Sequence, residues 1–297
     1  MSKKNISALN YDKCGYLFIT PFYIFFFFFV FTPIAINIAL SFTNFNLKSI
    51  NFVGFYNYVK LLSDSLFFIS IKNTFIYVLF TVFFTMALGL VFAIALTNTA
   101  IKGIKFFRSL YYLPYVTSMV SISMVWLWLY EPSSGLFNKI ISLMGQEPKK
   151  WLYDSTYALG AIIVMGIWKG MGYYMTLYIA GLNNIPGYLY EAARVDGANG
   201  FRRFLHITMP MLKPVTFFIL ITGTINAFNV FEQVNVMTSG GPMNSTTTIV
   251  HQIYTRAFTE YQMGYGAAQA VVLLLVILVF TLINFKYGNQ GQDLDIG

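Results

Sequence analysis

Six stretches of the chain are apolar almost without interruption, and the polar and charged residues collect between them. They cover Tyr16–Leu40, Thr74–Leu96, Tyr111–Tyr130, Ala158–Ala180, Val215–Val236 and Ala267–Phe285. As α-helices rising about 1.5 Å per residue, all are long enough to cross roughly 30 Å of hydrocarbon. A soluble protein with buried helices would have to cover six such runs in one chain. The pattern therefore predicts an all-α, polytopic membrane protein with six transmembrane helices. It predicts one transmembrane domain over residues 1–297, with modest loops and no separate soluble domain or internal repeat. The first run follows Lys3, Lys4 and Lys13 but is too long for the apolar core of a secretory signal, and no small-residue cleavage site follows it. It is expected to remain as the first span.

Lysine and arginine set the orientation, because they are retained on the inner side. With the N-terminus inside, the inner segments hold eleven basic residues and the outer loops seven, and Lys169 within a span completes the nineteen. The short loop 97–110 has three basic residues and no acid. Both termini are then cytoplasmic. Charged residues make up 10% of the chain, far below the roughly 25% of soluble domains. The net charge of +8 needs no nucleic acid, since much of the basic excess meets an anionic inner leaflet.

The single cysteine, Cys14, excludes an internal disulfide. There is no CxxC, HExxH or glycine-rich phosphate loop, and His206 and His251 lie far apart, so nothing points to a catalytic or metal site. An intramembrane enzyme would want paired acids or a metal set, and Glu131, Glu232 and Glu260 are scattered.

The longest inner loop, residues 181–214, is different. Its stretch EAARVDGANGFRRFLHITMP, residues 191–210, sets charge, a histidine and a closing proline between two apolar runs. Pro186 suits a helix start. Tyr188–Val195 is expected to be a short helix with Glu191 early in it, where a carboxylate complements the helix dipole. Gly197 can adopt the backbone angles that end such a helix. Asn199 is a good N-cap for a second short helix, Gly200–Ile207, which Pro210 and Pro214 should limit. A helix–turn–helix presenting Arg202, Arg203 and aromatics fits a protein-docking surface or an amphipathic element resting on the inner leaflet.

Glu191-Ala192-Ala193, three residues, Gly197, nine residues, Ile207, one residue and Met209-Pro210 resemble the EAA loop of binding-protein-dependent ABC importer permeases. That family pattern is EAA-x3-G-x9-I-x-LP, and Met209 stands in for the usual leucine at similar volume. Leu182-Asn183-Asn184-Ile185-Pro186, Asp196-Gly197-Ala198 and Asn51-Phe52-Val53-Gly54-Phe55-Tyr56-Asn57-Tyr58 resemble the carbohydrate branch. So does Thr238-Ser239-Gly240-Gly241-Pro242 with Thr246-Thr247-Thr248. They look like the larger-type subunit of maltose or glycerol-phosphate importers.

The resemblance implies the type I ABC importer permease fold in a bacterial plasma membrane, with a cytoplasmic ATPase-docking loop at 182–214. It implies a second permease subunit as heterodimer partner and an extracellular binding protein that delivers a sugar. Two ATP-binding subunits would carry the ATP, so this chain needs no cofactor. Glu191, Ala192, Ala193, Asp196 and Gly197 would engage the ATPase, with Arg202 and Arg203 as auxiliary contacts or solvated charge.

Within the spans, Thr222, Asn226 and Asn229 share a helix face at i, i+4 and i+7. Such groups suit sugar hydroxyls or interhelical hydrogen bonds. Gly166, Gly170 and Tyr173 repeat the spacing in the fourth span, with Trp168 and Tyr174 nearby. Close helix packing is the other explanation for the glycine pair. The resemblance puts Gly170, Tyr173, Thr222, Asn226 and Asn229 near substrate-contacting positions of the maltose importer's larger permease. Lys169, near mid-span, is costly unless paired or hydrated. It is either a strut paired with Glu232 or with a partner subunit's acid, or a lining cation that favours an acidic or phosphorylated sugar. The expected function is a non-enzymatic permease subunit importing a sugar or oligosaccharide. A sugar phosphate such as glycerol 3-phosphate is the alternative, and a stand-alone secondary transporter would not need the docking loop.

Overall fold

A computed structural model of the chain describes residues 11–97 and 103–288. Lys3, Lys4 and Lys102 of the charge argument lie outside the described residues, as do the side chains of Lys13 and Cys14. The described residues form helices, with one isolated antiparallel bridge between Thr43 and Phe52 and no strand. Four helices among them are long and apolar enough to cross a membrane: Phe18–Ser41, Ser65–Thr97, Ala158–Asn183 and Met263–Lys286. Two bent pairs bring the total to as many as six if each is counted as one span: Ile104–Val116 with Met119–Leu129, bent by 100°, and Gly200–Met211 with Lys213–Phe228, bent by 62°.

The six apolar runs fall on these elements, with three changes of boundary. The second span begins at Ser65, not Thr74, because the Asp64 carboxylate accepts the N–H groups of Leu66 (2.9 Å) and Phe67 (3.3 Å) and caps the helix there. The third span is not continuous. Thr117 and Ser118 take extended ψ angles of 150° and 136° and divide it. The fifth stops being helical at Phe228, with Asn229 as its C-cap, and a separate short helix follows over Glu232–Met237.

The described residues fall into two compact units. One joins the chain up to Ser63 with Ile253–Val272. Here the first span is widened by a π-turn at Phe27–Phe31, where the Thr32 hydroxyl donates to the Phe27 carbonyl at 2.8 Å. The conspicuous segment 51–58 ties down the end of that span. Asn57, buried, donates its amide to the carbonyls of Ser41 and Thr43 at 2.9 and 2.8 Å, and the Ser41 and Tyr58 hydroxyls lie 2.6 Å apart.

The other unit joins Asp64–Gln252 with the chain from Leu273 onward. Its spans cross closely at glycine. A Cβ added at Gly89 would lie 2.9 Å from the Tyr174 Cβ, and one at Gly172 would run into the Tyr111 carbonyl, so the fourth span meets both the second and the start of the third. The segment 238–248 folds onto the second span. Asn73 donates its amide to the carbonyls of Asn244 and Thr247, both at 3.0 Å, while the Thr74 hydroxyl accepts the Ile249 N–H at 2.9 Å. A buried core of Leu96, Met175, Tyr178, Ile185, Leu212 and Ile219 is packed by Leu189, Tyr190 and Ile207 of the polar loop, so that loop and spans share one apolar seam.

Candidate functional site

A cavity of about 450 Å³ lies within the second unit, inside the roughly 300–1,000 Å³ range of small-molecule sites. Tyr77, Thr81 and Thr85 of the second span form one wall, and Tyr115 and Met119 flank it from the break in the third. Gly166, Lys169, Gly170, Tyr173 and Tyr174 come from the fourth span and Gly223, Asn226 and Asn229 from the fifth, with Phe231, Glu232 and Gln233 completing the lining.

Five of the expected positions therefore meet: Lys169, Gly170, Tyr173, Asn226 and Asn229. Thr222 does not reach the wall. Its hydroxyl turns back on the helix and donates to the Phe218 carbonyl at 2.8 Å, a common way for threonine to satisfy itself inside a helix. Asn226 is exposed on the wall, and its amide makes no hydrogen bond among the described residues. Asn229 donates to the Ile225 carbonyl at 2.8 Å and keeps its amide oxygen unbonded. Trp168 packs away from the cavity, with its ring centroid 5.5 Å from that of Trp126.

Glycine shapes this wall. A Cβ at Gly166 would stand 2.5 Å from the Tyr77 hydroxyl, and one at Gly170 would stand 3.1 Å from the Thr85 methyl. The pair thus packs against the second span and also leaves the wall open. Tyr77 is held from its other side by the buried Gln233, whose amide donates to its hydroxyl at 2.8 Å. The Tyr115 and Tyr173 rings stack with centroids 4.5 Å apart and planes 10° from parallel.

Lys169 is buried, and its Nζ donates to the carbonyls of Pro114 (3.0 Å), Tyr115 (3.0 Å) and Thr117 (2.8 Å). Breaking the third span leaves carbonyls without helical partners, and the ammonium satisfies them at the negative end of a half-helix dipole. A contact ion pair with Glu232, one of the expected alternatives, is not formed, although the two charges on the wall attract at longer range. Lys169 thus braces the broken helix through backbone oxygens, which among the described residues lie closer to its ammonium than any carboxylate, and it also lines the cavity.

In the polar loop, a helix runs over Gly187–Val195 with Pro186 as its N-cap residue. Glu191 therefore stands a full turn inside it, not in the first turn, and does not cap the dipole. The helix ends as expected at Gly197, with φ +76°. Gly197 N–H bonds the Arg194 carbonyl at 3.2 Å and Ala198 N–H the Ala193 carbonyl at 2.8 Å, the paired pattern of a Schellman motif. Asn199 caps the next helix by accepting the Arg202 N–H at 2.9 Å. That helix does not stop before Pro210. Its ladder widens to a π-turn at Phe204–Thr208, Met209 N–H bonds the Phe204 carbonyl, and the chain continues to Met211. Glu191, Ala192, Asp196, Gly197 and Arg202 are exposed while Ala193 and Arg203 are half-buried. Exposed Tyr188, Val195 and Phe201 surround the charges. The Tyr190 and Thr208 hydroxyls, 2.9 Å apart, join the two helices.

Residues 86–288 match the family described as the binding-protein-dependent transport system inner membrane component. The chain belongs to this family. One relative is the arabinooligosaccharides transport system permease protein AraP of Halalkalibacterium halodurans, 34% identical over 93% of this chain and 89% of that protein. Another is the sn-glycerol-3-phosphate transport system permease protein UgpA of Agrobacterium fabrum, 34% identical over 80% of this chain and 81% of that one. Among solved structures, a bacterial ABC transporter involved in the import of the acidic polysaccharide alginate has a chain that superposes with a TM-score of 0.83. It covers 95% of this permease and 96% of that chain at 24% identity, which shows a common fold.

Sequence reasoning missed Tyr77, Thr81, Thr85, Tyr115 and Gln233 on the permease's cavity wall, and named Glu232 only as a candidate partner of Lys169. Tyr77, Thr81 and Thr85 stand at i, i+4 and i+8 on one face of the second span, a signal that was present. Tyr115 carries no such signal, since it reaches the wall only because the third span breaks beside it.

Proposed function

We propose that this chain is the larger-type permease subunit of an ATP-driven ABC importer in a bacterial plasma membrane, passing a sugar or oligosaccharide delivered by an extracellular binding protein. It pairs with a second permease subunit, and two ATP-binding subunits dock on residues 182–214 from the cytoplasm, where both termini lie. ATP is bound by those subunits, and this chain modifies nothing. The observation that carries this reading is the cavity, where the Asn226 and Asn229 amides converge with the Tyr173 hydroxyl and stacked rings. Sugars need such directional donors and acceptors beside an apolar face. Relatives named for oligosaccharide and glycerol-3-phosphate transport support the substrate class.

Glu191, Ala192, Ala193, Asp196 and Gly197 form the ATPase contact, with Arg202 and Arg203 beside it. The seam of Leu189, Tyr190 and Ile207 against Leu96, Tyr178 and Leu212 gives ATPase closure a rigid route into the spans. The two permeases then rock as bodies about the shared pathway. The test is co-purification with the ATPase and second permease, followed by ATP hydrolysis with binding protein and a panel of sugars. Stimulation by one sugar, abolished by Glu191→Lys, is expected. A complex that answers only to a phosphorylated sugar would select the glycerol-phosphate alternative, and failure of any ATPase to bind would overturn the reading.

A further inference from the structure

We infer that the cavity selects uncharged carbohydrates over anionic ones, and that Glu232 is the residue that sets this preference. The inference rests on the transport reading above and narrows its substrate. Lys169 and Glu232 are the two charged side chains on the wall. An ammonium carries three N–H donors, and those of Lys169 are all occupied by the carbonyls of Pro114, Tyr115 and Thr117. Their dipoles, with the C-terminal end of the half-helix Ile104–Val116, face its charge from the backbone side. A phosphate or uronate in the cavity would find no free N–H on Lys169.

Glu232 is the opposite case. It is exposed on the same wall, and among the described residues its carboxylate makes no hydrogen bond or contact ion pair, although the Lys169 ammonium attracts it at longer range. A carboxylate only accepts, so it matches adjacent sugar hydroxyls, and hydrogen bonds to it are among the stronger ones. An anion near it meets repulsion of about fivefold in occupancy at roughly 4 Å in water, and more where water is scarce. The remaining polar side chains of the lining, Asn226, Asn229 and Tyr173 among them, are neutral and serve a polyol equally well.

The test uses the assembled complex with Cys14→Ser and a reporter thiol, Asn226→Cys, with Asn229→Cys as a second reporter. Labelling rates are measured with a trimethylammonium and a sulfonate methanethiosulfonate reagent, each normalised to a free thiol. The cationic reagent is expected to be favoured by about threefold, because Lys169 on the same wall offsets part of the field of Glu232. Glu232→Gln should remove that preference and Glu232→Asp should keep it. Equal rates, or faster anionic labelling, would overturn the inference while leaving the transport reading intact. So would uptake of glycerol 3-phosphate or a uronic-acid oligosaccharide as fast as a neutral sugar. Protection of both reporters from both reagents would overturn the pathway reading itself, because no aqueous route would reach Asn226.

Discussion

The ammonium nitrogen of Lys169 lies 2.8 Å from the carbonyl oxygen of Thr117, across the break that divides the third span by 100°. One side chain of the fourth span thereby caps the first half of its neighbour where that half ends. Lys169→Met would keep the apolar stem and strip the donors from three carbonyls. The expected cost is about 2 kcal/mol, read as a lower unfolding temperature of the complex in detergent. Lys169→Arg, still a multiple donor, should lose less. Unchanged thermal stability in Lys169→Met would mean that the three contacts carry no structural weight.

Gly197 ends the first loop helix with φ +76°, and a Cβ there would meet nothing within 4 Å. The cost of Gly197→Ala is then purely conformational, about 1–2 kcal/mol, and it falls on the geometry of the turn proposed to dock the ATPase. ATP hydrolysis stimulated by binding protein should drop in Gly197→Ala and be better retained in Gly197→Asn, since asparagine tolerates that backbone region. Equal loss in both variants would point to steric conflict with a partner in place of backbone strain.

Asn73 bridges the second span to the segment 238–248 through two carbonyls. Asn73→Ala leaves the Asn244 and Thr247 carbonyls without this donor and should destabilise by about 1–3 kcal/mol. Limited proteolysis should then cut near Met243, which is 90% exposed. Resistance equal to that of the unmodified chain would show that the threonine bonds suffice.

Glu131 lies beyond the third span and accepts hydrogen bonds from the backbone N–H of Ser134, the Ser133 and Ser134 hydroxyls and the Ser133 N–H. The Ser134 N–H leads in holding its carboxyl down to about 2, from an ordinary 4.5. Because the folded value is the lower one, its stabilising contribution is complete above about 4.5 and is lost as pH falls toward about 2. Ser133→Ala with Ser134→Ala should move the titration, followed by carboxyl carbon NMR, part of the way back up. A wild-type midpoint already near 4.5 would contradict the contact set.

The helix-ending Gly197, the N-cap Asn199 and the six apolar runs were legible because each depends on a residue and its near neighbours. The Asp64 cap was equally local and was overlooked. The cavity was legible only in part: a helical face collected Asn226 and Asn229, but the same rule counted Thr222, whose hydroxyl bonds its own helix instead.

Alone, the sequence determined an all-α membrane protein, its apolar runs and the helix–turn–helix character of the loop at 182–214, because hydropathy and capping act over a few residues. Tertiary structure alone decided that the third span breaks at Thr117, that Lys169 caps the break and that Glu232 stands on the cavity wall without a contact partner among the described residues. An apolar run reads the same whether its helix is whole or divided. What distinguishes the two is a donor from another span close enough to satisfy the carbonyls that the break releases.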